Sequence, residues 1–330
     1  MGLPLHGGAR HYWAQHYGVE VDEMVDLSTG INPHGWPVPL LPAAAWQRLP
    51  EASPSLLKVA SDYYGANVLL PVAGSQAAIQ LLPQLRTQAR VGLFAPAYFE
   101  HQQAWERAGH QVVVLERDQV ETALMTLDVL VVINPNNPTG ALIPPERLRQ
   151  WHQQLVDRGG WLVVDEAFID TTPEQSMLAQ GAPPTGLIVL RSLGKFFGLA
   201  GIRMGFVSAS QSLLQRLEQR LGPWSVSHPA QWVAAQALAD QAWQQQNRLQ
   251  LLRESERLGE LLQQNGFSSS GSTALFHWVL HDQAESLFSE WARQGVLVRR
   301  FSEPASFRVG LPGSEEEWQR LEQLLQSSCG

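Results

Sequence analysis

Between about residue 68 and residue 210, short apolar runs alternate with amphipathic stretches. The runs of strand length are 68–73, 91–95, 111–115, 128–134, 161–165 and 187–190; most are separated by segments of helical length at 75–86, 99–108, 118–126 and 144–158. Strands that alternate with helices pair in parallel, because a helix carries each chain crossover back over the sheet. The segment RMGFVSA (203–209) adds a seventh strand, and the short connection before it predicts that it runs antiparallel to its neighbours. From 211 to 265 leucine recurs at helical spacing amid Gln, Arg and Glu, as in LLQRLEQRL and NRLQLLRESERLGELLQ, which predicts long helices. The remainder, with strands near 273–280, 296–300 and 306–310 and helices near 283–294 and 314–327, reads as a small α+β domain.

The pattern therefore predicts an α/β protein: a mostly parallel seven-stranded sheet flanked by helices, with a smaller α+β C-terminal domain. The expected organisation is an N-terminal arm over 1–34 that packs with the small domain, a large domain over 35–215, and linking helices plus small domain over 216–330. A Pro-rich connection (Pro33, Pro37, Pro39, Pro42) follows the arm.

Composition narrows the chemistry. With 330 residues, 44% of them hydrophobic, the chain can bury a large core. A formal net charge of −8 removes the basic field that draws proteins to nucleic acid or to anionic membranes, so neither partner is expected, and any anionic ligand must be held by locally placed Arg, Lys or helix N-termini. No uninterrupted apolar run reaches about 18 residues, and the first residues carry no leader-like pattern. Met1-Gly2 is not followed by the Ser or Thr of a myristoylation site, since position 6 is His6. The one cysteine, Cys329, excludes an intramolecular disulfide and fits a reducing, cytoplasmic setting. No metal is expected: no acidic or His cluster has ligand spacing, and His11 and His16 fall on different faces of one helix.

The most informative segment is RSLGKFFGLAGIRMGF (191–206), where Lys195 sits between glycines and phenylalanines after an apolar strand. Desolvation lowers the pKa of a lysine, and an unprotonated amine can form an imine with an aldehyde. A loop lysine with its stem along apolar surface would look the same locally. In VVINPNNPTG a buried strand ends in a turn that places Asn137 at the carboxyl edge of the sheet, where ligands of open α/β sheets bind. WLVVDEAFID likewise ends a strand in Asp165, which could serve a pyridine nitrogen or simply cap a helix. Gly74-Ser75-Gln76, between a strand and a helix, offers backbone N–H groups to a phosphate.

Taken together and in this order, Gly74-Ser75-Gln76, Tyr98, Asn137-Pro138-Thr139-Gly140, Asp165, Ser192-x-x-Lys195 and Arg203 resemble the fold type I pyridoxal 5′-phosphate (PLP) enzymes of the class I/II aminotransferase superfamily, along roughly residues 25–315. The resemblance implies that Lys195 is the catalytic residue and carries the cofactor as a Schiff base. It also implies that Asp165 pairs with the pyridine nitrogen, Asn137 contacts the ring oxygen and Tyr98 stacks on the ring. Gly74, Ser75, Gln76, Ser192 and Arg203 are then grouped around the cofactor phosphate.

Within that superfamily His6-Gly7-Gly8, DLSTGINPHG (26–35), DEAFID, LRSLGKF, PWSV (223–226), LVRRF and FRVG are similar to the L-threonine-O-3-phosphate decarboxylase family of cobalamin biosynthesis, relatives of histidinol-phosphate aminotransferases. This implies a phosphorylated amino acid as substrate and a homodimer as the assembly. Arg308 then takes the substrate carboxylate, with Gly30 and Ile31 beside it, and Arg299, His6 and Asn32 lie near the substrate phosphate. The chain departs from the family's pattern at Ala9, where an asparagine is usual, and at Leu49-Pro50, where a tyrosine precedes the proline and reaches the cofactor phosphate of the other subunit. An aminotransferase acting on histidinol phosphate or a related amine, and a noncatalytic PLP-binding protein of the cobalamin pathway, remain alternative readings.

Overall fold

The computed structural model describes residues 6–51, 53–178 and 183–328; Met1, Gly2 and Cys329 lie outside them. The chain gathers into two compact units. The larger combines Gly35–Asn137 with Leu142–Gln244, and the smaller combines the residues up to His34 with Pro138–Ala141 and those from Gln245 onward.

The larger unit is built on seven strands: β1 (Leu69–Val72), β2 (Arg90–Phe94), β3 (Gln111–Leu115), β4 (Val129–Ile133), β5 (Trp161–Asp165), β6 (Leu187–Ser192) and β7 (Gly205–Ser208). Their order across the sheet is β1-β7-β6-β5-β4-β2-β3. All pairings are parallel except those of β7, which runs antiparallel to both β1 and β6, as its short lead-in predicts. The central strands VLVVI and WLVVD read as continuous apolar runs because both of their faces are covered, and every residue of β4 is buried.

Register is what builds a site here. Ile133 at the end of β4 pairs with Asp165 at the end of β5, and Asp165 pairs with Leu190 of β6. Because β7 is reversed, its first residue, Gly205, meets both Ser192 at the end of β6 and Val72 at the end of β1. The ends of four strands and the start of a fifth therefore share one edge.

The boundary of the larger unit lies at 244/245 and not at 215/216. The helix Gln211–Leu221 contributes Leu213, Leu214 and Leu217 to the same apolar cluster as Val72, Ile79, Val91, Val131 and Val207, and the helix His228–Ala239 packs on Pro54–Tyr64. Gln211–Leu221 is amphipathic, and such a helix goes where its apolar stripe is buried, here against the sheet.

The smaller unit has a four-stranded antiparallel sheet of β8 (Ser269–Thr273), β9 (Phe276–Leu280), β10 (Arg299–Phe301) and β11 (Ser306–Gly310), in the order β10-β11-β9-β8. β8, SSGST, lies outside the strands expected from the sequence near 273–280, 296–300 and 306–310. Its small residues admit a close backbone approach: a Cβ on Gly271 would meet the Thr139 carbonyl oxygen at 2.0 Å, and one on Gly140 would meet that of Ser272 at 2.4 Å. The arm joins this unit through the parallel pairing of Val25–Asp26 with Val296–Leu297. Among the described residues no helix is long and apolar enough to cross a membrane.

Candidate functional site

All nine residues expected to hold a cofactor line one cavity of about 180 Å³ in the larger unit: Gly74, Ser75, Gln76, Tyr98, Asn137, Asp165, Ser192, Lys195 and Arg203. Most arrive from the end of a strand or the turn that follows it; Ser75 and Gln76 open the helix Ser75–Leu81, and Arg203 comes from the segment that leads into β7. Gly74, with φ +73°, opens the turn after β1, and a Cβ there would meet Arg203 Nη2 at 2.6 Å, so only glycine lets the guanidinium approach this close. Arg203 itself takes the left-handed conformation, at φ 52° and ψ 62°. The Ser192 hydroxyl accepts from the Gly194 N–H at 3.1 Å, which shapes the turn leading to Lys195.

In NPNNPTG the asparagines divide the work. Asn134 closes its own loop, its Oδ1 accepting from the Ile143 N–H at 2.7 Å and its Nδ2 donating to the Ile143 carbonyl at 3.0 Å. Asn136 Nδ2 donates to the Pro96 carbonyl at 2.9 Å, and Asn137 faces the cavity.

Asp165 is 3% exposed, with both carboxylate oxygens positioned. Oδ1 accepts from the Ala167 N–H at 3.1 Å, and Oδ2 lies 2.9 Å from Nε2 of the buried His101. His101 was not a candidate from sequence. Phe168 was also missed: it lines the cavity, and the Lys195 ammonium lies 5.1 Å from its ring centroid. The neighbouring Glu166 points the other way, into a fully buried cluster where Arg191 Nη1 lies 3.1 Å from its Oε2 and Ser176 donates to the same oxygen at 2.5 Å. Burial pushes the Glu166 carboxyl up, and Arg191 opposes that rise.

The six residues expected at the substrate belong to the smaller unit. Arg308 is 4% exposed on β11, directly opposite Arg299 on β10, and its Nη2 donates to the Ser28 carbonyl at 2.6 Å. Burial first, and then the charge of Arg299, push the Arg308 guanidinium down to about 9, while Asp26 opposes the shift. Gly30 lies alongside: its N–H nitrogen is 3.7 Å from where a Cβ on Gly310 would stand. The Ile31 N–H donates to Thr29 Oγ1 at 3.4 Å.

Asn32 is buried, and its amide is used inside the unit: Nδ2 donates to the His34 carbonyl and to Asn247 Oδ1, both at 3.2 Å, and Oδ1 accepts from the His34 N–H at 2.8 Å. His6 is exposed, next to glycines that fold onto Ser28; the Gly8 N–H donates to Ser28 Oγ at 2.9 Å. Of the two adjacent arginines, Arg300 is ion-paired with Glu285 and lies over the rings of Phe288 and Trp13.

The donor set of the cavity fits pyridoxal phosphate. An anion cradle (Ser75, Ser192, Arg203), a positioned carboxylate, an aromatic side chain, an amide and an amine converge on one enclosed space, which is the set that a phosphorylated pyridine aldehyde needs.

Fold and cavity together define a PLP-type aminotransferase architecture, and the chain belongs to the aminotransferase class I and II family, whose model matches residues 23–325. Within it, the chain is 49% identical to threonine-phosphate decarboxylase of Pseudomonas aeruginosa, over 97% of this chain and 96% of that protein. A second threonine-phosphate decarboxylase, from a Sinorhizobium species, is 38% identical over 94% of each chain. In fold, the chain is similar to the histidinol-phosphate aminotransferase of Sinorhizobium meliloti solved with pyridoxal-5′-phosphate, with a TM-score of 0.83 and 19% identity, covering 99% of this chain and 95% of that one.

Proposed function

We propose that this protein is a PLP-dependent carboxy-lyase that decarboxylates L-threonine O-3-phosphate to (R)-1-aminopropan-2-yl phosphate, a step of cobalamin biosynthesis. The observation that carries the reading is the directly opposed pair Arg299 and Arg308, one of them buried, in a chain that also assembles the full cofactor donor set. Two guanidinium groups side by side suit a substrate with two anionic ends. The 49% identity to a threonine-phosphate decarboxylase supports that substrate over histidinol phosphate, which has no carboxylate.

When bound, PLP supplies an electron sink that accepts the pair from a bond broken at the substrate α-carbon. The chain does the rest. Asp165, with its orientation fixed by His101 and the Ala167 N–H, holds a proton on the ring nitrogen. Tyr98 and Asn137 orient the ring, and Ser75, Ser192 and Arg203 hold its phosphate. Lys195 anchors the cofactor, and after CO₂ leaves, its Nζ delivers a proton to the α-carbon. Arg308 would take the substrate carboxylate, and the orientation given to that group would decide whether the Cα–carboxylate bond or Cα–H breaks. Arg299 and His6 would take the substrate phosphate; Asn32 fixes the turn around Pro33 through His34, and Gly30 and Ile31 shape the backbone beside the carboxylate.

A cytoplasmic homodimer is part of the same reading. Val38, Leu40, Trp46, Leu49 and Trp224 of the larger unit are between 47% and 98% exposed, and an apolar surface of this kind is what a subunit interface would cover. A monomer mass by light scattering would remove that element.

The deciding experiment adds L-threonine O-3-phosphate to the PLP-loaded protein and follows released CO₂ together with the cofactor's visible spectrum. Stoichiometric CO₂ with the cofactor unchanged is the expected result. Conversion of the cofactor to its amine form without CO₂ would establish an aminotransferase instead, and no reaction with either substrate class at high protein concentration would leave only a binding role.

A further inference from the structure

We infer that Glu100 is a positioning residue that fixes Tyr98 through Gln76; the inference rests on the PLP reading of the cavity. Glu100 is the first residue of the helix Glu100–Arg107, and a carboxylate there ordinarily serves only the helix dipole. This one is 9% exposed, and its Oε2 accepts two side-chain amides from the neighbouring helix Ser75–Leu81: Gln76 Nε2 at 2.6 Å and Gln80 Nε2 at 3.0 Å. Gln76 and Tyr98 line the cofactor cavity, whereas Glu100 stands behind them.

The chemistry of the three groups sets the direction of every bond. An ionised carboxylate only accepts, so Gln76 must turn its NH₂ toward Glu100. Its carbonyl oxygen then faces Tyr98, whose hydroxyl must donate, and the Tyr98 Oη–Gln76 Oε1 distance is 3.2 Å. With its proton committed to Gln76, the Tyr98 hydroxyl presents only lone pairs elsewhere, and the ring is held at its hydroxyl end. Without Glu100, the Gln76 amide could flip by a half turn and offer its NH₂ to Tyr98, which would reverse the hydroxyl and release the ring. Glu100 thus governs the pose of the aromatic face on which the cofactor ring would rest without touching the cofactor.

A double-mutant cycle tests this. The dissociation constant for pyridoxal phosphate and the induced circular dichroism of its visible band are measured for the wild-type chain, Glu100→Ala, Tyr98→Phe and the double variant. Glu100→Ala should weaken binding about tenfold and reduce the induced signal, as expected for loss of a hydrogen bond to a charged group. In the Tyr98→Phe background, where no hydroxyl remains to be oriented, the same change should cost less than about twofold, because coupled residues are not additive. Glu100→Asp, which keeps a first-turn charge but shortens the reach, should behave like Glu100→Ala.

Equal losses in both backgrounds, or full retention by Glu100→Asp, would reduce Glu100 to a helix-dipole residue and overturn the inference. If Glu100→Ala does not fold, the cycle is run with Glu100→Gln, where the same non-additivity is expected and its absence is equally decisive. A wild-type chain that binds no pyridoxal phosphate would instead sink the reading of the cavity itself.

Discussion

The larger unit and the smaller unit present opposite electrostatic designs. Around the cavity, polar groups come with partners in place: Asp165 with His101 and the Ala167 N–H, Gln76 with Glu100 and Tyr98, Ser192 with the Gly194 N–H. On the small sheet, two arginines stand opposite each other on adjacent strands, and one of them is buried deeply enough for its charge to be disfavoured. On the proposed function, a resident cofactor would be served by preorganised donors, whereas a substrate with two anionic ends would bring its own counter-charges. In the smaller unit an arriving anion would add counter-charge to the opposed guanidinium groups.

The largest effect that could break this comparison comes from the larger unit. Lys195→Ala should lower CO₂ release from L-threonine O-3-phosphate by on the order of 10⁴-fold, the upper end of what a positioned acid–base group contributes, even at saturating cofactor. Substantial residual turnover would mean that another group protonates the α-carbon. Next in size is Arg308→Gln, expected to cut kcat/KM by about a thousandfold, within the range for truncating one partner of a buried charge pair, with the cofactor's spectrum unchanged. Arg300→Gln, next in sequence to Arg299 but paired to Glu285, should change kcat/KM by less than about twofold, in keeping with the small worth of exposed ion pairs. If the two arginine variants behaved alike, the small sheet would be acting through overall charge rather than through one placed guanidinium.

Smaller than the Arg308 effect is that of His101→Phe. It removes one partner of Asp165 and leaves the Ala167 N–H, so kcat should fall by about tenfold while KM holds, with a shift of the cofactor's visible band. A change in KM alone would place His101 outside the proton-holding apparatus and relegate it to packing.

These residues also mark how far the sequence could be read. Asn137, Asp165 and Lys195 could be assigned to one sheet edge because each follows a strongly apolar strand, and strand ends in a parallel sheet share one edge; their roles, and the rest of the cofactor set, rest on the resemblance. The reversed strand β7 was legible from the short segment between Lys195 and Arg203. His101 and Glu100 were not identified, because a polar residue on an amphipathic helix looks the same whether it faces solvent or a buried carboxylate. β8 was not read from the sequence because its pairing with β9 and the close approach of Thr139 and Gly140 are tertiary facts with no local signature. The boundary drawn at 215 failed for a related reason: periodicity shows that Leu213, Leu214 and Leu217 share a face but not which sheet that face covers. The resemblance singled out Arg299 over Arg300, and on β10 Arg299 stands opposite Arg308.

The finest test of the contrast is Arg299→Gln. If the two guanidinium groups repel each other in the absence of substrate, removing one should make the ligand-free protein more stable, with a rise in melting temperature of about 2 °C, while substrate affinity falls. The pH dependence sharpens the point. Arg308 is lowered in the folded chain to about 9, chiefly by burial and secondarily by Arg299. Below that pH the guanidinium is charged and ready for a carboxylate; above it, binding must take up a proton, so KM should climb toward tenfold per pH unit as pH rises past about 9. Deleting the Arg299 charge removes one of the two causes of the lowering and leaves Asp26 unopposed by it, so the break in KM should move to higher pH. A break that stays in place, together with an unchanged melting temperature, would show that the two arginines do not sense each other and that the small unit is as self-sufficient as the large one.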